Sequence, residues 1–475
     1  MSIVTRLFDA ISTNLSSNCD FNLLLDSYLD PRTYEVGVPD YGKLIQELAY
    51  LTKEMQLNFL RNLFELMDKR FRESENRIKY FYVKQTRKRT IITIFGEVTY
   101  LRTEYISRID GTPFCYVDYK LNLFPRQRYD HTVCSLVYKY YSDCNSMIKV
   151  GKYIGELIKS HYSLEESNTY AIPRQTVFNI LNRFKSIKPT LDRKNNTPSI
   201  LYIMADEKYI SLQDKDANSA QIKLVVCYEG REIKGGRVKL INPLYLTSSE
   251  KDFWDDIQYQ LASIYDLEKV KEFALTGDGA NWIKVGKDYF HPCDYGLDSF
   301  HFFQSINRLT SDAACRNNLR HYALNDYKKE FMKLLKDIHD DKEINKSSNY
   351  DFNHKYLKRN YDHFQTLNQR EDLHCCMEQA ISHVLASQFS SIPKAYGKKH
   401  LMTYIQQRLN FKNGCNMIVD YLKACDIAKE PYQEIDLSKE KLNFSMFDHY
   451  HQNYEAPYFG FYNLVGRINP KKRRS

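Results

Sequence analysis

Two short apolar runs, each ending at an aspartate, constrain the fold of this chain more than any other feature. The first is Ile200-Leu-Tyr-Ile-Met-Ala-Asp206 and the second is Phe273-Ala-Leu-Thr-Gly-Asp278. Each run has the length and composition of a buried strand that is bounded by polar or turn-forming residues. The pattern therefore predicts a sheet with an ionisable side chain at the end of each of these two strands.

The elements around these runs follow a definite order. They are strands over 200–205, 221–228 and 236–241, a helix over 251–265, a strand over 272–275, a helix over 281–285, and a strand over 295–298 that leads into a helix. This is the element order of the ribonuclease H-like fold, in which the ends of the first and fourth strands lie close together at the middle of the sheet. We therefore expect Asp206 and Asp278 to be neighbours, and we expect Asp298 to cap the helix that follows it, with an accessory acidic role left open.

Paired carboxylates at one place in a sheet predict a site for hard divalent cations. Mg²⁺ and Mn²⁺ prefer several oxygen ligands, and two such ions about 3.5–4 Å apart can activate an attacking oxygen and stabilise a leaving one. Spacing alone leaves the third ligand open. One candidate is Glu378, near the start of the helix-like stretch Met377-Glu-Gln-Ala-Ile-Ser-His-Val-Leu-Ala386, which follows a charged, mainly helical segment that we interpret as an insertion.

The part of the chain before Pro198 predicts helices and one hairpin. Apolar residues recur at helical spacing between 41 and 77, and two β-rich runs flank Gly96-Glu97. A later helix, 173–184, has an outer face suited to base edges and phosphates, formed by Arg174, Gln175, Asn179 and Arg183. This helix is a candidate recognition helix of a helix-turn-helix, and an ordinary helix bundle is the alternative.

These patterns divide the chain into an α+β arrangement in which helical and hairpin regions precede the catalytic domain. The predicted regions are a helical region 1–80, a hairpin region 81–130, a helical DNA-binding region with linker 131–198, a first catalytic part 199–309, a helical insertion 310–372, a last catalytic part 373–430 and a basic tail 431–475.

Charge and hydropathy narrow the class of protein. Lys and Arg total 68 against 59 acidic residues, a formal net charge of +9 that is compatible with a polyanionic partner such as DNA. No apolar run approaches the roughly 18 residues that a membrane-spanning helix requires. The 11 cysteines are scattered without a CxxC pair, which is typical of reduced thiols in a cytoplasmic protein.

Four stretches resemble successive signatures of the ISLre-type bacterial insertion-sequence transposases, a family also filed as an uncharacterised conserved bacterial one. They are Ala205-Asp-Glu207, Thr276-Gly-Asp-Gly-Ala-Asn-Trp-Ile-Lys284, Leu297-Asp-Ser-Phe-His301 and the Glu378 helix. The likeness spans about residues 85 to 415. It implies a DDE transposase whose triad is Asp206, Asp278 and Glu378, with Mg²⁺ or Mn²⁺ as cofactor.

The same resemblance implies partners and a location. A DDE transposase binds the terminal repeats of its element and target DNA, acts as a dimer or higher oligomer that joins two ends, and works in the bacterial cytoplasm at the nucleoid. Cationic side chains that the family carries after the glutamate helix are replaced here by Gln388 and Ile392. Other cations would then contact phosphates: Lys394, Lys398, Lys399 and Arg408.

Two alternatives remain open on the sequence. A related metal-dependent nuclease would use the same carboxylates to cut DNA without joining strands. An inactive DNA-binding relic of such an element is the other alternative, and the changes at Gln388 and Ile392 are the observation that favours it.

Overall fold

The computed structural model describes residues 41–428, except 160–170, 185, 186, 188, 215–217, 236, 341–349, 371, 374 and 390–395. The chain forms two compact units: one contains the residues up to 184 and those from 418 onward, and the other contains 185–417. We call them unit 1 and unit 2. The predicted basic tail 431–475 and the first half of the predicted region 1–80 lie outside the described residues.

Unit 1 is built on a long helix and a long hairpin, as the sequence predicts. Helix α1 is Tyr41–Glu73, and strands β1, Phe81–Thr93, and β2, Gly96–Ser107, pair antiparallel across the predicted turn. Apolar side chains of the helix pack on the hairpin, where Phe64 and Tyr100 meet edge to face with ring centroids 5.0 Å apart. The apolar stripe that predicts the helix therefore packs on one face of the hairpin.

The remaining elements of unit 1 are short, and the last returns from the end of the described chain. They are α2 Glu75–Tyr80, β3 Pro113–Phe114, α3 Tyr116–Lys120, α4 His131–Cys144, α5 Met147–Lys159, α6 Arg174–Leu181 and a C-terminal helix, Met417–Ile427. The C-terminal helix packs on α4 through Tyr421 and Tyr138, whose ring centroids lie 5.5 Å apart. The predicted boundary of the last catalytic part, 373–430, is therefore wrong at its end, because contacts distant in sequence decide where this helix packs.

Unit 2 contains a five-stranded sheet whose strands lie in the order β10-β9-β4-β5-β8. The strands and the hairpin beside them are β4 Ile200–Ser211, β5 Ser219–Tyr228, β6 Gly230–Lys234, β7 Arg237–Ile241, β8 Leu244–Leu246, β9 Glu272–Gly277 and β10 Cys293–Leu297. Strand β4 is parallel to β9, β9 is parallel to β10, and β5 is antiparallel to both β4 and β8. The first and fourth strands of the sheet are thus central neighbours.

The third strand of this sheet differs from the prediction. The predicted strand 236–241 contributes β7 to a separate two-stranded hairpin with β6, and the sheet is completed by β8, Leu244–Leu246. Burial explains the difference, because Leu244 and Leu246 are buried whereas Ile241 is exposed. The apolar residues of β7 alternate with basic ones, and that pattern suits an exposed hairpin better than a buried strand.

Helices cover both faces of the sheet. The helices of unit 2 are, in chain order, α7 Phe253–Ile264, α8 Asn281–Val285, α9 Ser299–Leu309, α10 Ala313–Leu324, α11 Lys328–Asp340, α12 Tyr350–Asn368, α13 Met377–Ala380, α14 Ser387–Phe389 and α15 Lys398–Lys412. The C-terminal helix of unit 1, Met417–Ile427, is numbered α16. Helix α7 packs on one face with the apolar residues that the sequence predicts, including Trp254 and Leu261. Among the described residues, no helix is both long enough and apolar enough to span a membrane.

The predicted insertion 310–372 shares its core with the sheet. Leu297 of β10, Phe302 of α9, Phe331 of α11 and Phe364 of α12 belong to one buried cluster, and the Phe302 and Phe364 rings stack with centroids 4.2 Å apart. The predicted boundary between 309 and 310 therefore divides a single hydrophobic core. We correct that boundary, because charged exposed faces on these helices hid their apolar faces from a composition-based division.

A glycine contact in unit 2 provides a test of this packing. A Cβ added to Gly286 would lie 2.5 Å from Cε2 of Trp254, which is buried. We expect Gly286→Ala to lower the free energy of unfolding by about 1–3 kcal/mol, because overpacking a core forces side chains from their preferred positions. Urea unfolding followed by tryptophan fluorescence measures this directly, since both tryptophans of the chain, Trp254 and Trp282, lie in unit 2.

The matched control is Gly397→Ala, because a Cβ at that glycine meets no atom within 4 Å. Its effect should stay below that of Gly286→Ala, at about 0.5–1 kcal/mol, because Gly397 is the N-cap of α15, where Ala is less favoured than Gly. Equal destabilisation by the two variants would contradict the packing described here.

Candidate active site

Three aspartates occupy equivalent positions where the pairing of three parallel strands ends. Asp278 and Asp298 follow the last residues of β9 and β10, whereas β4 continues past Asp206 to Ser211 by pairing with β5, so the predicted end of this strand at 205 is wrong. Ala205 of β4 lies opposite Gly277 of β9, and Gly277 lies opposite Leu297 of β10. Asp206, Asp278 and Asp298 each follow one of these paired residues directly. Because neighbouring strands are about 4.8 Å apart, the first two aspartates lie side by side, as the sequence predicts, and Asp298 lies beyond Asp278.

The glycines around Asp278 are required by close approach. A Cβ on Gly277 would lie 2.9 Å from the carbonyl oxygen of Ala205 and 2.8 Å from Cγ2 of Ile283. Gly279 has a φ of +94°, a conformation that favours glycine. The loop is fixed further because Oδ1 of Asp278 accepts a hydrogen bond of 2.9 Å from the backbone N–H of Ala280. The Gly-Asp-Gly motif therefore positions one carboxylate on a rigid turn.

The surroundings of Asp206 change its acidity. Burial raises the pKa of Asp206 to about 6, and the nearby Asp278 carboxylate raises it as well. A hydrogen bond of 2.7 Å from the backbone N–H of Glu207 opposes these effects by stabilising the ionised form. A half-buried acid beside a second acid is a place where a cation is favoured, because a cation removes the cost of holding both negative charges together.

Asp298 orients a histidine toward the same pair of acids. Its carboxylate accepts a hydrogen bond of 3.1 Å from the backbone N–H of Phe300, and its other oxygen lies 2.8 Å from Nδ1 of His301. The first contact confirms the predicted helix cap. The hydrogen bond to Asp298 raises the pKa of His301, and the negative charges of Asp278 and Asp206 raise it further. His301 therefore lies within the field of all three aspartates.

The segment that leads to Glu378 follows β4 from one end of the sheet toward the other. At the amino end, Arg370 forms ion pairs with Glu272, at the start of β9, and with Asp294 of β10. Two residues later, Asp372 accepts a hydrogen bond of 3.0 Å from the Tyr202 hydroxyl. This path sets the chain on the sheet face that carries Asp206, since Tyr202 and Asp206 lie on the same side of β4.

The segment then reaches the part of the sheet that carries the three aspartates. The backbone nitrogen of Cys376 lies 3.3 Å from the sulfur of Met204, which is two residues before Asp206. Helix α13 begins at Met377, and Glu378 is exposed in its first turn. The next residues form a π-helical turn, Ile381–Ala386, a wider helical geometry that is often found at functional sites.

The three predicted catalytic carboxylates are not gathered into one closed ligand set. In the part of the chain that the structure describes, no group of three or more His, Cys, Asp or Glu side chains lies close enough to hold a metal ion. Asp206 and Asp278 lie side by side where the parallel ladder of β4 and β9 ends, and Glu378 lies on a helix that begins near Met204 of β4. The donor chemistry of the aspartate pair nevertheless suits a hard cation, because both side chains are carboxylates.

The helix predicted to contact DNA exposes most of its predicted face. Arg174, Gln175 and Asn179 of α6 are exposed, and the Gln175 amide donates a hydrogen bond of 3.1 Å to Oδ1 of Asn179. The opposite face, with Val177 and Ile180, is buried as predicted. The connection from α5 includes 160–170, which lies outside the described residues, so the helix-turn-helix stays a prediction.

Two predicted DNA contacts are corrected by their packing. The guanidinium of Arg183 lies over the Phe124 ring, 4.7 Å from its centroid, and donates to the Tyr421 hydroxyl at 3.3 Å. Arg408 is only 6% exposed. Both side chains therefore serve the interior of their units, because long arginine stems pack well on aromatic rings.

The other predicted contacts in unit 2 keep their exposed position. Lys398 and Lys399 are exposed in the first turn of α15, and the backbone N–H of Lys398 is held by Asp214 at 2.9 Å. Lys394 lies outside the described residues. The sequence did not predict Arg370 or the α12 side chains near Asp278 as part of the site. The only sequence feature that pointed to this part of the site was Lys284, the last residue of the motif Gly-Asp-Gly-Ala-Asn-Trp-Ile-Lys.

The buried acid predicts a pH-dependent effect on stability. Because the folded chain raises the pKa of Asp206 to about 6, the protonated acid is favoured in the fold, and stability falls as the pH rises through that value. Asp206→Asn replaces the acid by a neutral analogue. In metal-free buffer we expect a gain on the order of 1–3 kcal/mol above about pH 7 and little effect near pH 4.

Urea unfolding across this pH range, with a chelator present, measures the difference between variant and wild type. Asp255→Asn is the matched control, because Asp255 is exposed on α7. The control should lower stability by less than about 1 kcal/mol, since Asp255 lies in the first turn of α7, where a carboxylate is mildly stabilising, and it should show no gain at any pH. A gain for Asp206→Asn that does not depend on pH would show that the acid is not held ionised against the fold.

Comparison with known proteins places the chain in a family. A family model described as "Uncharacterised protein family (UPF0236)" matches residues 40–420. One UPF0236 protein of Caldanaerobacter subterraneus subsp. tengcongensis is 27% identical over 384 residues, with 78% of each chain covered. A second from the same organism is 27% identical over 386 residues, with 78% of each chain covered.

A solved structure described as "Crystal structure of NurA" is also similar in part. It has 13% sequence identity and a TM-score of 0.09, and the match covers 58% of this chain and 67% of that one. This TM-score carries no argument about fold or activity. The family model, in contrast, spans most of the chain, and the chain therefore belongs to the UPF0236 family.

Proposed function

We propose that this chain is a DDE transposase of an insertion sequence, with a ribonuclease H-like catalytic domain in unit 2. The observation that carries the proposal is the alignment of Asp206 and Asp278, each of which directly follows the last pair of the parallel ladder between β4 and β9. Supporting it is the strand order, in which the first and fourth strands of the sheet are central neighbours. The resemblance of the sequence motifs to ISLre-type transposases supplies the reaction class.

The aspartate pair is proposed to hold Mg²⁺ or Mn²⁺. When bound, such ions supply charge neutralisation at the scissile phosphate and activation of the attacking oxygen. The chain's own contribution is to fix the two carboxylates on a rigid turn and a central strand. The half-buried position of Asp206 limits competing water, which strengthens the electrostatic attraction between carboxylate and cation.

Glu378 is proposed as the third carboxylate. The helix that carries Glu378 begins one residue after Cys376, whose backbone nitrogen contacts the sulfur of Met204. Met204 precedes Asp206 by two residues on β4. The π-helical turn that follows α13 is a place where the helix can adjust its rotation when metal and DNA bind. Asp298 and His301 are proposed to position the site from the neighbouring strand, because their hydrogen bond directs the imidazole toward both aspartates.

The proposed reaction has two chemically similar steps. Water attacks a phosphodiester at each element end, which breaks the bond to the 3′ oxygen and frees a 3′-hydroxyl. That hydroxyl then attacks a phosphodiester of target DNA, forms the new bond and releases a target 3′-hydroxyl. The exposed face of α6 and the hairpin of unit 1 are proposed to bind the terminal repeats, and joining two ends requires a dimer or higher oligomer.

Metal binding can be tested without any DNA. We expect Mn²⁺ at about 100 times its dissociation constant to raise the free energy of unfolding by about 2.7 kcal/mol, because the ion binds the folded state alone. Thermal unfolding with and without Mn²⁺ measures the shift. Asp278→Asn should abolish it, whereas Asp255→Asn, an exposed acid on α7, should leave it intact. A full shift in Asp278→Asn would place the ion elsewhere.

The reaction is tested on labelled DNA that carries the sequences flanking the gene. With Mg²⁺ or Mn²⁺ we expect cleavage at the ends and joined products, and we expect Asp206→Asn or Asp278→Asn to reduce both at least 1,000-fold, on the order of the loss seen for essential catalytic groups. Cleavage without joined strands would favour a nuclease. DNA binding with no metal-dependent product would favour an inactive relic. Full activity in either variant would refute the proposed metal site.

A further inference from the structure

The inserted helix α12 brings polar side chains to the edge of the candidate active site. The Tyr356 hydroxyl donates a hydrogen bond of 2.6 Å to the backbone carbonyl of Asp278. One helical turn further, Oδ1 of Asn360 accepts a hydrogen bond of 2.6 Å from Nζ of Lys284, on α8. Two separate elements therefore converge beside Asp278, one following it in the chain and one from the predicted insertion.

Asn360 holds Lys284 in a fixed place. Asn360 is 3% exposed, and its Nδ2 donates to the carbonyl of Tyr356 at 2.9 Å, which leaves Oδ1 directed at the lysine. A Cβ on Gly279 would approach both side-chain amide atoms of Asn360 at 3.3 Å. The buried amide thus links the turn after Asp278 to the cation, and Lys284 loses the freedom of an ordinary surface lysine.

A second cation lies beside the first. Arg359 is the residue before Asn360 on α12 and is exposed. Burial lowers the pKa of Lys284, the charge of Arg359 lowers it further, and the charge of Asp278 opposes both. The two cations therefore act on each other, and Lys284 also lies within the field of the Asp278 carboxylate.

Holding two cations together next to the reaction centre is unfavourable unless an anion joins them. Arg359 offers a planar fork of donors, and Lys284 offers a compact point charge. A phosphate oxygen set matches this combination, because arginine binds phosphate through paired hydrogen bonds and lysine supplies charge.

We propose that Lys284 and Arg359 bind one phosphodiester phosphate of the DNA strand that enters the Asp206–Asp278 site. This inference rests on the proposed function and names a residue, Arg359, that only the inserted helix supplies. The contact is independent of base sequence, since phosphate contacts position DNA and do not read it. The predicted insertion is thereby a working part of the active site.

The test measures the salt dependence of DNA binding by the full chain. The probe is a fluorescent duplex of mixed sequence in Ca²⁺, which occupies oxygen-ligand sites. Each lost phosphate contact lowers the slope of log K against log salt by about 0.9. We expect Arg359→Gln to lower the slope by about that amount, Arg359→Lys to restore it, and the double variant with Lys284→Gln to lower it further.

The control is Lys336→Gln, which removes the same charge from an exposed position on α11. Its slope should equal that of the wild type, and Arg359→Gln should keep the wild-type Mn²⁺ shift in thermal unfolding, because no carboxylate is changed. A wild-type slope in Arg359→Gln would overturn the phosphate contact while leaving the proposed metal site intact. Absence of DNA binding by the wild type at any salt concentration would overturn the proposed function and this inference together.

Discussion

The parallel pairing of β4 with β9 is the interaction on which the candidate site depends. Backbone hydrogen bonds put Ala205 opposite Gly277, and the next residue of each strand is an aspartate. The ladder therefore forces two acidic side chains into adjacent positions, whatever their mutual repulsion. A slip of one strand by a single residue would break this register and turn its acid to the other face of the sheet.

Holding two carboxylates side by side is electrostatically unfavourable. Burial raises the pKa of Asp206 to about 6, and Asp278 contributes in the same direction. Around the pair the fold supplies backbone N–H groups, a histidine and Lys284 rather than apolar side chains alone. Such a balance of buried acid and nearby donors is typical of sites that bind a cation together with an anionic substrate.

Much of the sheet is predictable from the sequence, because apolar runs of the right length bounded by glycine and aspartate have few other folds. Strands β4, β5, β9 and β10 and the first hairpin follow that rule. Strand β8 is only three residues long, Leu244–Leu246, and is too short to give a periodic signal. The boundary at 309 and the packing of α16 depend on contacts between distant residues, which composition along the chain does not record.

The candidate site also has residues that the sequence predicts and residues that it does not. Asp206 and Asp278 are found from local sequence because each directly follows a buried apolar run, although β4 continues beyond Asp206 to Ser211. The outward direction of Arg183 and Arg408 was a wrong prediction, since an arginine on a helix can pack on aromatic rings as well as face solvent. Arg359 has no local signal, because only the folding of α12 brings it near Lys284.

Helix α12 links the two ends of the sheet and explains why the insertion is not a removable appendage. Near one end Tyr356 contacts the Asp278 turn, and just beyond the other end Arg370 binds Glu272 and Asp294. Between them, Phe364 lies in the core shared with α9. The segment after Arg370 then returns along β4 toward the helix that carries Glu378. A single helix thus fixes the turn that holds one acid and the starting point of the segment that delivers another, so changes in its packing must alter both sides of the site together.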